Sequence, residues 1–368
     1  MYKFADVFEF QKKSKIKAGD GKESGRFPFY TSSSELSKYV DNALFDGESL
    51  VFGTGGNASV HFADGKFAVS TDCLVAQPKT DDINPKFVCH YLFGNIRILE
   101  EGFKGAGLKH ISKGYISDID LPEMPRTRQD KIVSVLDQAD NFRQKRKEQL
   151  ALLDDYLKSV FLDMFGDPKD FDLKAISEIA ENKKGSMRTG PFGSNLKHSE
   201  FVDEGVAVLG IDNAVNNTFK WKRLRYITQE KYKTLKQYTV YPGDLLITIM
   251  GTLGRSAVVP PDISCAINTK HLACITLNKQ LANPYFVSYS IVNDPYVLHQ
   301  LRSRTRGAIM DGLNLTLIKE LKIKLPPIGL QDKFVNIYEQ VEQTKQKMRE
   351  SLDEMDNHFN ALMQRCFG

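Results

Sequence analysis

The sequence predicts an α/β (α+β) fold. Two globular domains are separated by a long antiparallel two-helix coiled coil, and the whole is an internal repeat with pseudo-two-fold symmetry. Three observations predict it: a segment that returns at a fixed offset, a sustained heptad pattern inside each copy, and short β-rich runs upstream of each copy. A length of 368 residues suits about two domains. With 41% apolar and 26% charged residues the composition is globular, which excludes disordered and fibrous classes.

The repeat sets the organisation. Pro125-Arg-Thr-Arg-Gln129-Asp130-Lys131 returns as Pro327-Ile-Gly-Leu-Gln331-Asp332-Lys333, an offset of 202. Lys104-Gly105-Ala106 matches Arg306-Gly307-Ala308, and Phe165-Gly166 matches Phe367-Gly368, both at the same offset. Further upstream the register drifts: Asn84-Pro-Lys-Phe-Val88 answers Asn283-Pro-Tyr-Phe-Val287, and Asp46-Gly47 answers Pro242-Gly243. The expected boundaries are 1–122 and 168–324 for the globular domains, with 123–167 and 325–368 for the helices.

Residues 127–165 hold no Gly or Pro. One seam position carries Ile132, Ala139, Arg146, Leu153 and Val160; the other carries Leu136, Arg143, Leu150, Leu157 and Met164. The second copy supplies Phe334, Val341, Met348, Met355 and Leu362, with Tyr338, Lys345, Leu352, Phe359 and Cys366. Five heptads make each helix about 58 Å long at ~1.5 Å per residue. A single stripe cannot bury itself, so the two helices are expected to bury each other, antiparallel, the alternative being that each packs on its own globular region. Thr127 with Asp130 resembles a capping pair. Arg143 and Lys345 interrupt the stripe at equivalent positions and are expected to snorkel or meet an outside partner, because a buried cation is costly.

Within the globular regions, Leu50–Gly53, Phe67–Ser70, Val206–Gly210, Asp244–Ile249 and Leu272–Leu277 read as strands. Asn283 followed by Pro284 reads as a capped helix start.

Tests for catalysis fail. Asn283-Pro-Tyr-Phe resembles the Asn-Pro-Pro-Tyr motif of adenine methyltransferases but lacks the second Pro and a preceding glycine-rich loop. Gly53-Thr-Gly-Gly56-Asn57 lacks phosphate-loop spacing. Seven scattered His and five Cys without Cys-x-x-Cys spacing give no metal or disulfide framework, which suits a reducing cytosol. No run is long enough to cross a membrane, and the first residues are too charged for a signal peptide. The chain is therefore expected to be soluble and cytoplasmic.

Charge distribution points to a polyanion. Residues 183–324 carry net +10, against −1 for residues 1–126. The first region holds a local cluster, Lys12, Lys13, Lys15, Lys17 and Lys22. Its candidate contact loops add Tyr30, Thr31, Ser32, Gly55, Gly56, Asn57 and Ser59. The second region offers Arg188, Thr189, Gly190, Phe192, Gly193, Ser194 and Lys197 in one basic loop. It also offers Asn213, Lys222, Arg223, Thr252, Arg255, Lys270, His271, Arg304 and Arg306. Backbone amides and cations suit phosphates, while Asn, Ser and Arg suit base edges.

These motifs resemble one family. The paired Pro-x-x-x-Gln-Asp-Lys helix starts, Thr189-Gly-Pro-Phe-Gly-Ser-Asn-Leu-Lys197, Val240-Tyr-Pro-Gly-Asp-Leu-Leu246 and Gly251-Thr-Leu-Gly-Arg255 are similar to those of the specificity (S) subunit of type I restriction-modification systems. The resemblance implies two target-recognition domains, each reading one half of a bipartite, asymmetric site in double-stranded DNA. It also implies that the helices fix the gap and dock two methyltransferase (M) subunits, with two restriction (R) subunits joining. Pairing and spacing would then rest on Ile132, Leu136, Leu150, Leu153, Leu157, Val160, Phe334, Val341, Met348, Leu352, Met355, Phe359 and Leu362. No catalysis, cofactor or metal is expected in this chain; S-adenosylmethionine and ATP belong to the partners. The first half departs in detail, with Phe27-Pro-Phe-Tyr-Thr-Ser-Ser-Ser34 and Pro122-Glu-Met-Pro125, so the two domains should read different sequences. A coiled-coil scaffold with two protein-binding domains is the competing reading, and a single-chain restriction or methylation enzyme a weaker one.

Overall fold

The structure, a computed structural model, describes residues 1–105, 107, 109–167, 171–215, 217–222, 225–250, 254–305 and 313–368. Two long helices run over Arg126–Phe165 and Ile328–Phe367. The chain divides into two units, Met1–Gln149 with Met348–Gly368, and Leu150–Lys347. Each unit therefore contains one globular region and part of each long helix.

In the first unit, strands β1 (Phe8–Phe10), β2 (Phe27–Tyr30), β3 (Lys38–Val40), β4 (Ser49–Gly53), β5 (Ser59–Ala63), β6 (Ala68–Val69) and β7 (Cys73–Pro78) form two sheets. Their orders are β1-β7-β4-β5 and β3-β2-β6, and the β2–β6 pair is parallel. β4 is buried along its whole length, as a central strand covered on both faces should be. Helix α1 (Pro85–Gly94) packs Phe87, Val88 and Leu92 into the core beside Leu50 and Phe52.

The second unit repeats the plan. Strands β8 (Met187–Thr189), β9 (Val206–Leu209), β10 (Tyr226–Ile227), β11 (Thr239–Val240), β12 (Leu245–Thr248), β13 (Ser256–Val258), β14 (Ala266–Asn268) and β15 (Leu272–Ile275) form sheets β8-β15-β12-β13 and β10-β9-β14-β11. The β9–β14 pair is again parallel. Helix α2 (Pro284–Asn293) buries Phe286, Val287 and Ile291. The strands expected from the sequence are present in both units.

The repeated helix starts have a structural reason. Gln129 is fully buried; its Oε1 accepts from Asn84 N (2.8 Å) and its Nε2 donates to the carbonyls of Asp82 (3.0 Å) and Met124 (2.9 Å). Gln331, also fully buried, accepts from Asn283 N (2.9 Å) and donates to the carbonyls of Leu281 (2.9 Å) and Pro326 (2.7 Å). Asp130 and Asp332 each accept from the adjacent Asn side chain, at 2.7 and 2.9 Å. Those Asn residues also cap α1 and α2, each followed by Pro at the first turn. One motif thus bolts each long helix to the helix of its own globular region. The expected Thr127–Asp130 capping pair is corrected: Asp130 bonds Arg126 (2.8 Å) and Asn84, and these bonds, Arg126 first, hold its carboxyl below the usual value.

Within each unit the helix segments run antiparallel. In the first, Leu136 packs with Phe359 and Met363, while Arg143 reaches Asp356. In the second, Phe161 meets Phe334 edge-on at 5.3 Å and Lys345 reaches Asp154. Of the seam positions, Leu136, Leu157, Phe334, Val341 and Phe359 are buried; Ile132, Leu150, Leu153, Val160, Met348, Leu352, Met355 and Leu362 are half-buried. Arg143 and Lys345 do not snorkel to water or wait for an outside partner. Each takes a carboxylate from the opposite helix and one from its own, Asp356 with Asp140 and Asp154 with Glu342.

Candidate nucleic-acid interface

The candidate loops of the first unit converge at one end of its two sheets. Ser70 N donates to Tyr30 O (2.8 Å) and Thr54 N to Asp72 O (2.8 Å), which ties β2, β6 and β4 together at their ends. Ser32 Oγ and Thr54 Oγ1 both donate to Asp72 O, at 2.7 and 3.0 Å. His110 Nδ1 lies 3.0 Å from Thr54 O. A Cβ on Gly53 would meet the Ser59 hydroxyl and the Ser32 backbone, so the tight approach of these loops needs glycine there. Gly56, at φ +82°, turns the chain so that Gly56 and Asn57 stand exposed.

The same bonds build the matching end of the second unit. Thr269 N donates to Leu209 O (2.8 Å) and Ile249 N to His271 O (3.0 Å). Gly190 N donates to Thr269 O (3.3 Å), and a Cβ on Gly190 would collide with the Asn268 carbonyl. Arg255 N donates to Thr248 Oγ1 (3.0 Å), which holds Arg255 beside the end of β12. The two units thus present the same frame with unlike side chains: Ser, Thr and Asn in one, and Arg255, Lys270 and His271 in the other.

The frame brings together Thr31, Ser32, Gly55, Gly56, Asn57 and Ser59 in the first unit. In the second it brings together Gly190, Lys270, His271 and Arg255. Lys12, Lys13, Lys15 and Lys17 are exposed, and Ile16 accepts from Thr71 N (2.8 Å), which places that cluster beside the same end. Lys22 is exposed and ion-paired to Asp41 at 2.7 Å. Phe192, Gly193, Ser194 and Lys197 are exposed, Thr189 is half-buried, and Lys222 is exposed. Arg223, Thr252, Arg306 and the side chain of Arg304 lie outside the described residues.

Five expectations are corrected. Arg188 is not a surface contact. It is 8% exposed, and all five of its N–H groups are used, on Thr239 O, Gly185 O, Thr276 Oγ1 and Asp244 Oδ2. Asn213 is buried: it accepts from Gly210 N (2.9 Å) and donates to Lys220 O (2.8 Å), so it shapes the loop from below. Tyr30 points into the core against Phe67. Ser59 is buried under Ser32. The segment 183–197 is not one loop either, because β8 divides it and puts Lys183 and Lys184 at the opposite strand end from Gly190–Lys197.

The structure adds residues the sequence reading passed over. Trp221 is 43% exposed, stands edge-on to Phe219 at 5.1 Å and lies between Lys220 and Lys222. An exposed aromatic flanked by two lysines is itself a signal for a stacking contact. Phe93, 59% exposed, lines a hollow of about 170 Å³ with Ser34, Ala58 and Ser59. Asn268 Oδ1 and Thr269 Oγ1 are buried without a partner among the described residues. Both sit at the loop end of the second unit.

The chain matches the family described as Type I restriction modification DNA specificity domain, over residues 1–152 and again over 168–355. It belongs to that family. The family is the non-catalytic specificity component of type I restriction-modification systems, and its two matches correspond to the two halves of the repeat. Among curated relatives, the type I restriction enzyme MjaVIII specificity subunit of Methanocaldococcus jannaschii is 20% identical, across 94% of this chain and 86% of that protein. The EcoBI specificity subunit of Escherichia coli is 21% identical, across 87% and 73%. A solved S subunit from M. genitalium shares the fold with a TM-score of 0.64 at 16% identity, covering 100% of this chain and 95% of that one. A structure described for complex assembly and conformational transition of the type I R-M system gives 0.57 at 14% identity, covering 100% and 96%.

Proposed function

We propose that this specificity-family chain reads double-stranded DNA through the paired loop ends, one half-site per globular region. The carrying observation is that both units build the same cross-tied loop frame but furnish it with different side chains. A shared frame gives equivalent approach to a groove, and unlike side chains give unlike base preferences, so the expected site is bipartite and asymmetric. Exposed Lys12, Lys13, Lys15, Lys17, Lys197 and Lys222 supply phosphate contacts. Asn57, Ser194, Arg255 and His271 are the candidates for contacts to base edges in this reading.

In this reading residues 1–122 and 168–324 are the recognition domains, and 123–167 and 325–368 the spacer helices that set the distance between half-sites. The spacer docks two M subunits, and two R subunits complete the assembly. S-adenosylmethionine and ATP act on those partners. The cytoplasm, where the DNA lies, is the expected location; among the described residues no helix is long and apolar enough to cross a membrane.

The test uses Trp221, the sole tryptophan of the sequence. Titrating the chain, with its M subunit, with duplex carrying the site should quench its fluorescence, with an apparent affinity that falls steeply as salt rises. Unchanged fluorescence together with salt-independent or absent binding would favour the protein-binding scaffold.

A further inference from the structure

At the strand ends opposite the reading loops, the second unit carries an open-mouthed cavity of about 750 Å³. Four lysines line it from three separate segments: Lys183 and Lys184 before β8, Lys236 before β11, and Lys279 after β15. All four are exposed, and none forms an ion pair among the described residues. Glu181 is the single acid in the lining. Tyr238 and Tyr241 add two aromatic rings, and Tyr241 is 52% exposed with the Arg188 guanidinium stacked 5.6 Å from its ring centre.

The floor is rigid. The buried Arg188–Asp244 pair holds β8 to β12, and Thr276 Oγ1 donates to Asp244 Oδ1 at 2.6 Å. Since Asp244 offsets the Arg188 charge, the positive field in the cavity comes from the lysines. Like charges gathered in a concave site focus potential and repel one another until an anion enters. The volume falls within the range of small-molecule sites and far exceeds a single phosphate. Strands of three or four residues, at ~3.3 Å each, set this cavity about 10–13 Å from the loop end.

We propose that this cavity is a second anion site, separate from the DNA-reading loops, that takes a nucleoside polyphosphate. The phosphates sit among Lys183, Lys184, Lys236 and Lys279, and the base lies against Tyr241. Concavity favours a compact ligand over a duplex backbone, which needs an open track, and the exposed ring gives a base a face to stack on. The proposal stands on the cavity alone and does not depend on the duplex reading.

The experiment follows the thermal unfolding midpoint of the full chain, free or bound to M, with ATP and with inorganic triphosphate as probes. Both probes should raise the midpoint, ATP at the lower concentration. A Lys236→Glu/Lys279→Glu variant should need roughly tenfold more of either probe, while its duplex affinity by Trp221 fluorescence stays unchanged. Tyr241→Ala should weaken the response to ATP and leave that to triphosphate intact. The substituted lysines are exposed, so circular dichroism should show both variants folded. No midpoint shift with either probe at millimolar concentration, or an equal shift in the lysine variant, overturns the site. Loss of duplex affinity in the lysine variant without any nucleotide response also overturns it, and assigns the cavity to the DNA track.

Discussion

Lys345 holds its ammonium 2.6 Å from the Asp154 carboxylate of the opposite helix, and Arg143, 202 positions earlier, stands 2.6 Å from Asp356 in the same relation. Second carboxylates complete the match, Glu342 for Lys345 and Asp140 for Arg143. Repeating the same two bridges at equivalent positions fixes axial register where an apolar seam alone would permit a one-heptad slip. Lys345→Ala should cost about 1–2 kcal/mol, because its carboxylates are left facing an apolar seam yet keep some water. Lys345→Met should recover much of that through packing while permitting register heterogeneity. Chemical denaturation gives the first, and spin-label distances along the helices the second.

Gln129→Ala should destabilise the first unit by about 2–3 kcal/mol, since it strands the Asn84 amide and two carbonyls in the interior. Gln331→Ala should do the same to the second unit. Hydrogen exchange should show the loosening confined to the unit that carries the substitution; protection lost equally in both would contradict separate bolts.

Arg188 and Arg255 should separate cleanly. Arg188→Ala leaves the Asp244 charge buried and unpaired, so stability should fall by about 3–5 kcal/mol. Arg255→Ala should leave the melting temperature near wild type and weaken duplex binding by about 1–3 kcal/mol. Calorimetry paired with fluorescence titration distinguishes the two roles.

His271 should give duplex binding a pH dependence. Burial first, then the nearby Lys270 and Arg225, hold its imidazole below the ordinary 6.5 in the free chain. A phosphate or base acceptor at the loop end raises that value, so binding takes up a proton. Affinity should therefore rise as pH falls from the raised bound value through the lowered free value, then level off. His271→Gln should flatten the profile in titrations across that interval.

Much of this was legible in the sequence, for reasons of range. Heptads, caps and the 202-residue offset are local or periodic patterns, and they placed both long helices and the Asn283 cap. The cross-helix partners of Arg143 and Lys345 were not legible, since Asp356 and Asp154 lie 213 and 191 positions away and pair only after the helices align antiparallel. Arg188 was misread for the same reason. Its partner Asp244 is 56 residues on, and a basic Gly-rich segment looks alike whether its arginine faces DNA or a buried carboxylate. Trp221 needed only more weight on a lone aromatic between lysines.

The most direct test of two unlike readers in one chain is base-resolution mapping of adenine methylation in a host carrying this chain with its methyltransferase. The account predicts a split motif with two different specific halves around a spacer of constant length, and replacement of residues 172–322 by another second domain should alter one half alone. A continuous motif, two identical half-sites, or a change in both halves after that replacement would contradict it.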